Sequence, residues 1–230
     1  MSSGGDNLIG VKVSPVNPND VLNSEYPPGL RSRFVQSVFR AYRMADALLG
    51  DVQWLDWPIG KDLKGQLRRV AVDFELKKLV ESGGLSSRIS YRISPNVAEN
   101  CHHLVLIGTN SILTSSFVHS ANKLPRPAEF RSNYGISNQY YWDFDDEYST
   151  ISMDQVPYFL LTHGPIGVEP QFIMLGMPTS DLKAWIDGSR VNLLKEPYVI
   201  DTKAIEHIEE EELTALKDFS KEVLVNEEDS

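Results

Sequence analysis

Cysteine is almost absent from this chain: Cys101 stands alone among 230 residues. That excludes an intramolecular disulfide and points to a reducing compartment. Long apolar runs are missing as well. None approaches the roughly 20 residues that a membrane-spanning helix needs. The opening MSSGGDNLIG lacks the basic region and apolar stretch of a signal peptide. A soluble, cytoplasmic protein with no membrane partner is expected. There is no Gly-rich phosphate loop, dinucleotide fingerprint, nucleophile elbow or kinase signature. Gly164-Pro165-Ile166-Gly167 is a turn without the Lys-Ser/Thr that a phosphate cradle requires. Repeats, heptads and low-complexity tracts are lacking too, so no linker divides the body.

What the chain does have is an ordinary globular composition, 41% hydrophobic and 10% aromatic, enough for a substantial core. Its net charge of −10 is unevenly spread. Residues 206–230 hold ten acidic residues and two lysines, a net of −8, which leaves −2 for the rest. The body is nearly neutral, and the acidity belongs to the C-terminus.

Two apolar runs, HHLVLIG and LTSSFVH, flank Thr109-Asn110-Ser111-Ile112 and predict a β-hairpin. A turn at Asn110-Ser111 places Thr109 opposite Ile112, Leu104 opposite Phe117 and His102 opposite His119. By alternation, His102, Leu104, Leu106, Phe117 and His119 share one face. Both faces are largely apolar, which suits a central position in a sheet.

Around that hairpin the chain reads in order. Residues 1–28 form a loose arm, with 8–13 as a candidate edge strand. Apolar spacing predicts a helix over about 30–49, with Arg33, Gln36, Arg40 and Arg43 as a stripe on its outer face. The stripe suits phosphates or carboxylates; it also suits a plain solvated face. Trp54 and Trp57 are anchors in the following loop. Residues 61–81 fit both a helix and, over 70–77, an alternating strand. Length and the stop at Gly83-Gly84 favour the helix. Strands are expected at 89–93, 156–162 and 172–177, and a helix over 180–188 capped by Ser180. Residues 202–225 read as one or two acidic helices with a docking stripe of Leu213, Leu216, Phe219, Val223 and Leu224. The expected fold class is α+β: a mostly antiparallel sheet built round a central hairpin, with N-terminal peripheral helices and an acidic helical C-terminus. The divisions are a loose arm at 1–28, one domain at 29–200 and the acidic segment at 201–230.

Three patterns bear on chemistry. Asp56, followed after a gap by Glu75-Leu76-Lys77, resembles the acid and Glu-x-Lys of restriction-endonuclease-like nucleases. The resemblance covers about two dozen residues and departs from the family at Leu55, where proline is common. It implies a phosphodiesterase with two carboxylates holding Mg2+ or Mn2+ and a lysine beside the attacking water. That geometry requires Glu75 and Lys77 to point the same way, which a strand delivers and a helix does not. His102 and His119, with His163 as a third candidate, suit a transition metal or acid–base work, but no Cys/His spacing completes a ligand set. Finally Tyr141, Trp142, Asp143, Asp145 and Asp146 combine aromatics with carboxylates, which suits a divalent cation or, better, a protein partner. With no complete catalytic constellation, the expected function is a non-enzymatic intracellular binding or regulatory protein. It would need no cofactor and act on a protein partner. The alternative is the metal-dependent nuclease, with nucleic acid as its partner.

Overall fold

The computed structural model describes residues 17–51, 63–85, 89–95, 102–141, 156–165 and 167–224. The early strand candidate at 8–13, Trp54, Asp56, Trp57, Cys101 and the stretch Trp142–Asp146 lie outside them. Of Tyr141, which ends a 3-10 turn, no side-chain placement is described.

Six strands form one mixed sheet in simple sequence order: β1 (Ser90–Pro95), β2 (His102–Ile107), β3 (Ile112–Phe117), β4 (Tyr158–Gly164), β5 (Phe172–Pro178) and β6 (Trp185–Asn192). Every neighbouring pair is antiparallel except β3 and β4, which run parallel. Together with six α-helices among the described residues this is the expected α+β class. The buried strands β4 and β5 are covered along their whole length, as their unbroken apolar character requires.

One face of the sheet carries the main core. Leu104, Leu106, Leu113, Phe159, Leu161, Ile173 and Leu175 meet helices α2 (Pro28–Asp51) and α3 (Lys64–Glu81) there. Residues 61–81 thus resolve as helix over 64–81, as length and the glycine stop favour. The opposite face packs Tyr158, Leu160 and Trp185 against Tyr134 of a short helix, α4 (Glu129–Gly135). No described helix is long and apolar enough to cross a membrane.

Three expectations need correction. Residues 18–25, read as part of a loose arm, form helix α1 (Pro18–Glu25), with Val21 and Leu22 buried. The start signal is present in the sequence: the Asn17 side chain accepts from the Asn19 N–H, and Pro18 opens the helix. Residues 180–188 are not a helix but a turn that enters β6. Asp181 Oδ1 accepts from the Lys183 N–H at 3.1 Å and from Thr179 Oγ1 at 2.6 Å, and Leu182 has φ 56°. Short polar side chains that satisfy nearby backbone compete with helix. The hairpin register is shifted by two: Ile107 pairs with Ile112, Leu106 with Leu113 and Val105 with Thr114. Its turn is held from afar, because Glu25 accepts from Ser111 Oγ at 2.9 Å and from Asn110.

The C-terminal segment folds onto the body. Asp201 caps helix α5 (Thr202–Glu206), and helix α6 (Glu210–Leu224) comes after it. Leu216, Phe219 and Val223 enter the main core, with the Phe219 ring 5.6 Å from that of Phe74.

Candidate functional site

The outer stripe of α2 does not act as one surface. Arg40 turns toward the C-terminal segment: its Nη2 pairs with Glu212, its Nη1 donates to the Ala204 carbonyl, and its Nε lies 3.4 Å from Glu75. Lys78 of α3 also donates to Glu212. Burial works against the Glu212 charge, but Lys78, the Glu209 N–H and Arg40 outweigh it and lower its pKa. Glu75 goes the other way, because burial raises its pKa against the opposing pull of Arg40 and Lys78. Arg43 instead reaches Glu169 at 3.0 Å. Arg33 stays exposed and lines a separate small cleft of about 420 Å³ beside Glu25 and Asn110.

Around Arg40 opens a groove of about 800 Å³. Asp201, Glu206, Glu209 and Glu212 supply its carboxylates, against Arg40 and Lys203. Arg40 and Glu212 are already paired with each other. The groove therefore presents a surplus of negative charge from Asp201, Glu206 and Glu209, all exposed.

The residues with a nuclease-like spacing are not brought together. On helix α3, Glu75 and Lys77 stand about 200° apart around the axis. Glu75 faces Arg40, whereas Lys77 donates to Glu81 at 2.8 Å and lies 5.5 Å over the Tyr91 ring. Asp56 lies outside the described residues. The strand on which that geometry depends is thus replaced by helix. The histidines part for a different reason. His102 pairs with Pro95 of β1, past the point where the β2–β3 ladder stops, and His119 lies beyond the end of β3, exposed, its ring 5.2 Å from that of Phe117. Among the described residues no group of three or more His, Cys, Asp or Glu side chains could hold a metal ion.

Sequence reasoning misses the interior polar groups. The β2–β3 ladder stops at Val105–Thr114. Beyond that rung β2 continues beside β1 and β3 beside β4, so the sheet forks. Asp73 of α3 fills the fork. It is 2% exposed and accepts from Ser115 Oγ and from the Leu104 N–H. Arg69 lies 3.4 Å away and also donates to the His102 carbonyl at 3.3 Å. Burial raises the Asp73 pKa, opposed by Arg69 and those hydrogen bonds. The Arg69/Asp73 spacing is visible as an i,i+4 pair, but nothing local marks it as buried. On the other side of the fork His103 stacks on Phe130 at 3.6 Å. Burial and the charges of Arg131, Arg69 and Arg92 push its pKa down to about 4.

No family model matches the chain, and neither the curated proteins nor the solved structures give a match.

Proposed function

We propose that this chain is a non-enzymatic binding protein acting through a protein partner, and that the acidic groove around Arg40 is the surface it offers. The observation that carries this reading is how the C-terminal segment divides its side chains. Leu216, Phe219 and Val223 lie in the core and Glu212 is clamped by Arg40 and Lys78, while Glu206, Glu209, Glu210 and Glu211 remain exposed. A segment anchored in this way holds its free carboxylates in fixed positions at little further entropic cost on binding. The matching partner is a lysine- or arginine-rich segment, attracted by charge and therefore sensitive to salt. The segment is part of the fold, so its removal is the wrong test: Phe219 and Leu216 would leave a cavity in the main core.

The direct test titrates a fluorescently labelled Lys/Arg-rich peptide at low and at high salt. It compares the wild type with a Glu206→Lys, Glu209→Lys, Glu211→Lys variant, with circular dichroism confirming the fold. Binding at least tenfold weaker in the variant supports the groove. No binding by the wild type, or equal binding by the variant, removes it. A plasmid and RNA cleavage assay with Mg2+ or Mn2+ runs alongside. Cleavage abolished by Glu75→Gln and by Lys77→Ala would replace this reading with the nuclease alternative.

A further inference from the structure

We propose that the carboxyl ends of β3 and β4 hold a binding site for a small tetrahedral oxyanion, formed by Arg68 and His163. These strands are the one parallel pair in the sheet, and their last rung joins Phe117 to His163. On the far side of β3 the ladder to β2 stops at Val105–Thr114, before this rung, whereas β5 stays paired with β4 through Gly164–Phe172.

Three side-chain nitrogens there, Arg68 Nε, Arg68 Nη1 and His163 Nε2, lack a hydrogen-bond partner among the described residues. His163 is 0% exposed, and its Nδ1 lies 3.0 Å from the Tyr42 hydroxyl. Burial keeps the tyrosine protonated and, with the charges of Arg68 and Arg69, keeps the imidazole neutral. When the Tyr42 hydroxyl donates to Nδ1, the ring proton sits on Nε2, and Nε2 has no partner among the described residues. Arg68 is 2% exposed. Its Nη2 donates to Asp46 at 2.6 Å and to the Gly167 carbonyl at 2.5 Å, and its Cζ stands 4.9 Å over the Tyr42 ring. Its Nε and Nη1 also have no partner among the described residues. Buried donors left unpaired are costly, and those on a charged group most of all. One arginine, oriented by two acceptors on a single nitrogen and by an aromatic face, therefore keeps two more nitrogens for a ligand. Tyr42 links the two groups: its hydroxyl meets His163 Nδ1 and its ring lies under the Arg68 guanidinium. An oxyanion satisfies these donors and adds negative charge to that of Asp46, which already pairs with Arg68. Exclusion of bulk water strengthens the attraction. Arginine presents donors in a fixed fork that suits phosphate geometry.

Inorganic phosphate is the probe, with sulfate and a nucleoside monophosphate as separate arms to tell a free anion from an esterified one. Calorimetry on the full chain gives the affinity, and the 15N resonance of His163 Nε2 in the wild type reports whether the imidazole is engaged. We expect saturable binding in at least one arm, a shift of that resonance along the same curve, and affinity at least tenfold weaker in Arg68→Gln. The Arg33→Gln control should match the wild type. If Arg68→Gln does not fold, the wild-type resonance and a His163→Phe variant decide the matter. Absence of binding in every arm overturns the proposal. So does binding that leaves the His163 resonance unmoved, or that survives the loss of Arg68.

Discussion

Asp73 and Glu75 stand two residues apart on α3, both buried and both with raised pKa, yet they serve regions of opposite character. Asp73 lies in the sheet fork, where a serine hydroxyl and a backbone N–H complete the work of its arginine. Glu75 lies under the C-terminal segment, where Arg40 Nε stands 3.4 Å from its Oε1. At the fork a buried carboxylate is satisfied by a hydroxyl, a backbone N–H and an arginine, whereas the clamp gathers only charged side chains and includes the partly exposed Glu212 and Lys78. Changes at the fork should therefore be large and independent of salt, and those at the clamp small and screened.

The strongest way to break the contrast is Asp73→Ala. It takes the acceptor from Ser115 Oγ and the Leu104 N–H and the carboxylate from Arg69, and removing one member of a buried pair costs about 3–5 kcal/mol. The urea midpoint should fall by that equivalent at any ionic strength. A loss below about 1 kcal/mol would mean that the fork tolerates an empty bridge.

Acid should act next, through the histidines. His163 is pushed down to about 3 and His103 to about 4. Both therefore bind a proton more readily in the unfolded chain, whose histidines titrate near 6.5. Their contribution is complete above about pH 6.5 and is lost as pH falls toward the folded values, at up to roughly 1.4 kcal/mol per pH unit for each. Asp73 and Glu75, shifted upward, act with the opposite sign at low pH, so the useful quantity is the difference between wild type and His163→Gln. Between about pH 6 and 4.5 the variant's stability should fall less steeply. Parallel slopes would remove His163 as a source of acid lability.

Glu212→Gln is the smallest effect expected. Its carboxylate is 19% exposed and joins Arg40 to Lys78. Screening keeps its worth near 1 kcal/mol or less. The difference from wild type should shrink toward zero in about 1 M salt; a difference that persists there would make the clamp a buried network like the fork.

Much of this architecture is legible from spacing. Phe34, Val35, Val38 and Tyr42 announce α2, the length of 61–81 with Gly83-Gly84 decides for α3, and the apolar runs at 156–162 and 172–177 mark β4 and β5. The features that escape depend on partners far away in the chain. The hairpin register is set by Glu25, about 85 residues from the turn it holds, and no count outward from Asn110 includes it. The 180–188 segment fails as a helix because Asp181 turns the backbone and β5 pairs with β6 from Trp185 onward. Among the candidate site residues, Arg40 stands out in the sequence for its place in a stripe, but its partners Glu75 and Glu212 come from two other helices. His163 stands out as a histidine, while nothing in the sequence marks Arg68, since burial of a charge leaves no trace in periodicity.

The sequential strand order has one more consequence. β1 to β3 form one up-and-down ribbon and β4 to β6 another, and the parallel pairing of β3 with β4 sews them together. Each rung of that seam joins residues 46 positions apart, as in Ile112 with Tyr158, against a four-residue turn between β2 and β3. The entropy of closing the longer loop is greater by roughly 2 kcal/mol. Within each ribbon the ladders can form from near neighbours, whereas the seam waits for a long closure. Both polar clusters, the fork and the Arg68–His163 group, lie toward the end of the seam that the Phe117–His163 rung closes.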